Sequence, residues 1–206
     1  MAISDDRLTR DAVLEIGVEE LPARFMRQAL ADARQYMTAA LAGARLAVSE
    51  VRSYGTPRRI IVQLRAVTAR QSDLVREVRG PAAKAAFDSE GRPTQAALGF
   101  ARSASVPVES LVFRPTPQGD YVYATVTEVG RPAGAVLAEV FPQMIAGLSF
   151  PKSMRWGSHD FRFARPIRWI LALLGTEVVA FDTHAVSSGR ITWGHRTLAP
   201  GAHEIG

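Results

Sequence analysis

The densest run of residues able to do chemistry lies between Phe150 and Trp169, FPKSMRWGSHDFRFARPIRW. Lys152, Arg155, Arg162, Arg165 and Arg168 set five positive charges against Asp160, and Phe150, Trp156, Phe161, Phe163 and Trp169 are interleaved with them. Cationic side chains neutralise phosphates and aromatic faces stack on unpaired bases, so such a run suits an RNA partner. The same residues equally suit a packed core whose rings carry solvated or cation–π neighbours. Composition leaves both readings open. Downstream, SSGRITWGHR sets Arg190, His195 and Arg196 around Trp193, and its glycines suit tight turns or close backbone approach.

Other chemistries lack their parts. There is no GxxxxGK[ST] or GxGxxG loop to cradle phosphate and no GxSxG elbow for a serine nucleophile. Gly80-Pro81-Ala82-Ala83-Lys84 only imitates a phosphate loop, since Pro81 removes one of the amides. The absence of cysteine excludes disulfides, thiolate metal sites and cysteine nucleophiles. His159, His184, His195 and His203 never recur at a metal-binding spacing, and His159-Asp160 reads as a turn rather than a metal site. Glu19-Glu20 is a carboxylate pair whose members point apart. It reads as negative charge at a helix start rather than as a shared acid/base site.

Length and composition set the frame. The 206 residues suffice for one sizeable core or two small ones, and 47% hydrophobic with 22% charged residues is ordinary for a globular protein. No stretch reaches the roughly 18 apolar residues of a membrane span, and MAISDDRLTR has no apolar signal core. A cytoplasmic location fits. The net charge is +5, and of 25 basic residues only Lys84 and Lys152 are lysine. Arginine forks favour phosphate and base contacts, although a GC-rich genome would produce the same bias.

These residues need elements to position them. Ala12–Gly17 reads as an apolar strand. Pro22 opens a helix with Met26, Leu30, Ala33, Met37 and Leu41 on one stripe and Gly43 as a stop. Leu46–Tyr54 and Arg58–Val67 read as strands turning at Gly55-Thr56-Pro57, with Ile60, Val62 and Leu64 on one face. Gly80-Pro81 breaks the pattern, Ala82–Phe87 is a helical turn, and Thr94 caps a short helix ending near Ser103. Hairpins follow around Gln118-Gly119-Asp120 and around Gly175-Thr176. Between them a helix starts at Pro132, with a kink or restart expected at Pro142. The expected class is α+β, antiparallel sheets built from hairpins with helices packed on them, and sub-boundaries near 80–93 or 148–152. The end of the chain, without a closing helix, reads as a cut through something larger.

Six blocks carry a more specific signal: EIGVEELPAR (Glu15–Arg24), TPRRI (Thr56–Ile60), the run from Phe87 through PTQAALGFAR (Pro93–Arg102), FPKSMRWG (Phe150–Gly157), FARPIRW (Phe163–Trp169) and SGRITWGHR (Ser188–Arg196). In this order, from about Val13 to Pro200, they closely resemble the N-terminal part of the beta subunit of bacterial glycyl-tRNA synthetase. Val18 stands where that family commonly has Thr. The resemblance implies an α2β2 enzyme joining glycine to its tRNA, with the class II active site, and hence ATP and Mg, in the alpha subunit. The beta subunit would be a longer chain supplying tRNA binding, its anticodon-binding region near the C-terminus, and this chain would be a non-catalytic N-terminal part. Its expected partners are the alpha subunit and glycine tRNA, with no cofactor, metal or membrane of its own. No catalytic residue is carried over. The expected RNA contacts are Lys152, Arg155, Trp156, Arg165, Arg168, Arg190, His195 and Arg196, and docking of the alpha subunit without RNA contact is the alternative.

Overall fold

The computed structural model describes residues 8–156, 161–183 and 186–206. In chain order the first elements are β1 (Thr9–Val18), α1 (Ala23–Gly43), β2 (Glu50–Thr56) and β3 (Arg59–Thr68). Next come β4 (Leu74–Ala82), α2 (Ala83–Ala86), α3 (Gln95–Ser103), β5 (Val112–Thr116), β6 (Gly119–Glu128) and α4 (Ala133–Gly147). The long central strand β9 (Ile167–Leu174) and seven short strands complete the described chain: β7 (Met154–Arg155) and β8 (Arg162–Phe163) before it, then β10 (Glu177–Val178), β11 (Asp182–Thr183), β12 (Val186–Gly189), β13 (Ile191–Trp193) and β14 (Ala202–Glu204). The class is α+β, and the chain forms two units, Met1–Ser72 with Arg131–Gly206, and Asp73–Gly130. The sequence breaks at 80–93 and 148–152 fall inside the second and first unit respectively.

The first unit is built on a sheet ordered β11-β12-β9-β1-β3-β2, with β10 also on β9. Its pairings are antiparallel except that of β12 with β9, where Ser188 stands opposite Ile170 in parallel. The sheets are thus antiparallel and built from hairpins, as expected, and the one parallel pair arises because the chain reverses twice after β9, at Gly175 and in the β11–β12 hairpin. Alternation decides the faces. Ala12, Leu14 and Ile16 of β1, Ile60, Val62 and Leu64 of β3, and Ile170, Ala172 and Leu174 of β9 are buried in one cluster. Phe25, Ala29, Ala33, Met37 and Leu41 of α1 and Val136, Leu137, Phe141 and Met144 of α4 complete it. The helix stripe is thus rotated slightly from expectation, with Met26 and Leu30 only partly buried at its edge.

The helix ends are chemical. Pro22 precedes α1, where its missing N–H leaves no bond unmade. Gly43 is still helical. The left-handed residue is Arg45, at φ 54°, with Leu46 N–H donating to Leu41 O and Arg45 N–H to Ala42 O. This is a Schellman end with both leucines buried. α4 runs through Pro142 without restarting. Where the chain leaves and re-enters this unit, the Gln71 side chain donates to Ala44 O and accepts from Arg131 N–H, while Gln71 N–H donates to Arg131 O. The Arg131 fork in turn grips Glu139 at 2.7 Å on both oxygens, which holds that carboxyl below its ordinary pKa.

The second unit is a sheet ordered β4-β6-β5, with a small core of Ala86, Ala97, Ala101, Leu111, Val122 and Ala124 between strands and helices. Thr94 caps α3, its hydroxyl accepting from Ala96 N–H. β4 was not legible as a strand. Three of its four exposed positions, Arg76, Glu77 and Arg79, are charged, and Gly80-Pro81 looks like a stop. In the fold the pairing register shifts between Arg79 and Ala82, and a Cβ on Gly80 would lie 2.5 Å from the Phe100 ring. The glycine and proline mark a strand irregularity with a ring packed on it, not an end.

Met37 is fully buried at the centre of α1's inner face. Met37→Ala is expected to destabilise the chain by about 2–5 kcal/mol in urea unfolding, whereas exposed Gln35→Ala should stay within about 0.5 kcal/mol.

Candidate functional site

The face of the sheet turned away from α1 and α4 carries an unusual residue. Glu15 of β1 is a carboxylate only 7% exposed, between Ile61 and Leu171 in the sheet register. A buried charge requires partners, and Glu15 finds them on other strands. Trp169 Nε1–H of β9 donates to Oε1 at 2.7 Å, and the Thr192 hydroxyl of β13 donates to the same oxygen at 2.5 Å. Arg59 of β3 approaches both carboxylate oxygens with Nη1 at 3.3 Å, and its Nη2 donates to Trp193 O. The Arg59 guanidinium also lies 5.7 Å from the Trp169 ring centre.

Backbone chemistry makes room for this cluster. Gly17 is paired with Trp169 on one side and Arg59 on the other. A Cβ at Gly17 would fall 1.9 Å from an indole carbon, so only glycine lets the indole lie flat across β1 toward Glu15. Beside it, the Glu19-to-Pro22 loop is knotted to the same strands. Val18 N–H donates to Arg58 O, Glu19 N–H to Pro166 O, and Leu21 N–H to Pro57 O. Arg165 Nε donates to Glu20 O at 3.1 Å, and Arg168 pairs with Glu19 at 3.5 Å. Glu19 and Glu20 therefore precede α1 rather than entering its first turn. They line a shallow cleft with Pro22, Pro57 and Arg165.

The basic and aromatic residues separate into different environments. Phe150, Phe163 and Trp169 are buried, with Phe150 and Phe163 edge to face at 4.8 Å. Trp156 is half-buried and its N–H donates to Phe163 O, so the edge of that indole is already engaged. Arg190 is half-buried, donating to Thr176 O and Ile205 O. Arg165 is half-buried on the Glu20 carbonyl. Lys152, Arg155, Arg168, His195 and Arg196 are exposed, and His195 Nδ1 accepts from Thr197 and Leu198 N–H. Trp193 is 45% exposed and Ile191 49%. Thus the aromatics are chiefly core, and the cations divide between structural ties and open surface. The His159-Asp160 dipeptide and His184 lie outside the described residues. Among the described residues no group of three or more His, Asp or Glu is placed to hold a metal ion, and no helix is long and apolar enough to cross a membrane.

Glu15 and Arg59 were missed as site residues by sequence reasoning. A lone Glu in an apolar strand reads as its solvent face, and Arg59 as one arginine among many. The available signal was their place inside motif blocks: EIGVEELPAR, TPRRI, FARPIRW and SGRITWGHR, far apart in sequence, supply every member of the cluster.

Comparison with known proteins accounts for those blocks. A family model described as glycyl-tRNA synthetase beta subunit matches residues 12–206. The glycine–tRNA ligase beta subunit of Desulforudis audaxviator is 52% identical over 194 residues, 94% of this chain and 28% of that protein. Those of Moorella thermoacetica and Desulforamulus reducens are 50% identical over 198 and 48% over 194 residues, 96% and 94% of this chain and 28% of each relative. All four blocks that build the Glu15 cluster lie within the residues that this family model matches. The chain belongs to the glycyl-tRNA synthetase beta-subunit family, and it spans about 28% of the length of these curated relatives.

Gly17→Ala should push the Trp169 indole off β1, with a loss of about 1–3 kcal/mol in urea unfolding and a shifted Trp169 indole N–H resonance. An unchanged resonance and stability would mean that the indole does not need the glycine.

Proposed function

We propose that this chain acts as the N-terminal region of a glycine–tRNA ligase beta subunit, contributing to tRNA binding and to assembly with an alpha subunit for ATP-dependent glycylation of tRNA. In this reading the chain itself is non-catalytic and works in the cytoplasm as part of an α2β2 heterotetramer, and ATP with Mg binds the alpha subunit. Family membership supports the general reading. The distribution of charge supports the RNA role. The second unit holds six basic and seven acidic residues, so the whole positive excess of the chain lies in the first unit. There Lys152, Arg155, Arg168 and Arg196 stand exposed on the surface that an RNA phosphate would approach, Arg168 beside its partner Glu19. Arg165 and Arg190, tied to backbone carbonyls, would keep their remaining N–H groups for a phosphate only at the edge of such a surface.

A second reading, docking of the alpha subunit without direct RNA contact, draws support from Ile191, Trp193 and Leu198, apolar and exposed beside the same cations.

Lys152→Ala and Arg155→Ala in the complete enzyme discriminate the two. The RNA reading expects weaker tRNA binding and a log–log salt dependence flatter by about one unit per lost phosphate contact. The docking reading expects tRNA affinity and slope unchanged, with Trp193→Ala weakening association of the subunits.

A further inference from the structure

We infer that Glu15 is a positioning residue whose buried carboxylate seats β13 on the sheet and so sets where Trp193, His195 and Arg196 are presented to RNA. The inference rests on the tRNA-binding reading above and adds to it a residue that touches no RNA. β13 has only three residues and pairs in its own small sheet only with β14, itself three residues long. An isolated two-stranded ribbon of that size has marginal stability in water, so its position must come from elsewhere. It lies against β1 and β9. Its polar attachments there include the Thr192 hydroxyl, which donates to Glu15 and accepts from Arg59 Nη1 at 3.3 Å, and the Trp193 carbonyl, which accepts from Arg59; Glu15 itself orients that guanidinium. Thr192 points inward at the carboxylate, and strand alternation therefore turns Ile191 and Trp193 outward. Directly beyond Trp193 comes Gly194. A Cβ there would lie 1.9 Å from Ala199 O, so the turn carrying His195 and Arg196 closes tightly against the chain that follows. The position of that turn is therefore inherited from β13, and that of β13 from Glu15.

Glu15 joins β13 to β9 through Trp169 and to β3 through Arg59, and it holds the guanidinium that itself bonds β13. Removing the Thr192 hydroxyl breaks only the β13 link. Converting the carboxylate to an amide keeps an acceptor for the indole but weakens the charged bond to Arg59. The two variants test the same seat from opposite sides with little change in volume.

The test uses the complete α/β enzyme carrying Thr192→Val or Glu15→Gln, with Arg196→Ala as the direct-contact reference. Amide hydrogen exchange is read at Gly194 and Ile205, whose N–H groups bond to Gly201 O and Arg190 O within the β13–β14 ribbon, and at Val179, bonded to Ala172 O in the sheet, as an internal control. The expected result is exchange faster by about tenfold or more at Gly194 and Ile205 with Val179 unchanged, equivalent to about 1.4 kcal/mol of lost seating. tRNA affinity should fall by several-fold, in the same direction as with Arg196→Ala. Unchanged exchange at Gly194 and Ile205 would overturn the seating role. Faster exchange with wild-type tRNA affinity, while Arg196→Ala weakens binding, would overturn the positioning role and leave the RNA reading intact. If Arg196→Ala itself binds tRNA normally, the β13–β14 turn does not meet RNA and the positioning role falls, while the RNA reading stands or falls on Lys152→Ala and Arg155→Ala.

Discussion

A carboxylate held almost out of water must have its charge answered by neighbours, and Glu15 is answered by Arg59, Trp169 and Thr192, drawn from three other strands. Leaving any of these donors unpaired, or the carboxylate short of them, costs more than the bonds contribute individually. The arrangement is therefore all-or-none in character. It ties β3, β1 and β9 together across one face of the sheet, it lies beside Gly17, where a Cβ would meet the Trp169 indole, and it bonds β13 to the face opposite α1 and α4. Among the described residues no buried side-chain nitrogen or oxygen lacks a partner, so the junction is complete in the folded chain.

Much of the fold could be read from the residues because it rests on local rules. The stripe of α1, the Thr94 cap, the turn at Gly175, the apolar run of β1 and the alternating strand β3 all declare themselves within a dozen residues. What escaped depends on distant partners. Arg45, not Gly43, takes the left-handed position that ends α1, because Leu46 has a core site to reach. β4 looks broken by Gly80-Pro81 until Phe100 is seen against it. The parallel seat of β12 on β9 follows from two chain reversals that no single segment encodes.

The candidate site was half legible for a related reason. The run from Phe150 to Trp169 offered RNA-stacking aromatics or a packed core, and the fold uses its aromatics mainly for the core. Phe150, Phe163 and Trp169 are buried, and the Trp156 N–H is engaged by Phe163 O. The cations do not share one fate: Arg165 and Arg190 tie loops and edges to carbonyls, while Lys152, Arg155 and Arg196 face outward. Charge pattern alone cannot separate a guanidinium that braces a turn from one that awaits a phosphate, because both occupy polar positions. Glu15 was the opposite case. Its place in EIGVEELPAR gives it no chemical role by itself, and the meeting of four motif blocks in space explains why a charged residue sits in an apolar strand.

The measurement closest to the centre of this account is a double-mutant cycle on Glu15→Leu, which removes the acceptor, and Trp169→Phe, followed by urea unfolding of the chain. Phe keeps the ring over Gly17 and loses only the N–H. If the indole bond belongs to a coupled, buried network, the two changes together should destabilise by less than the sum of each alone, with an interaction of about 1–3 kcal/mol. Additivity within about 0.3 kcal/mol would show that Glu15 and Trp169 act independently, and would contradict the carboxylate's role as the junction of the sheet.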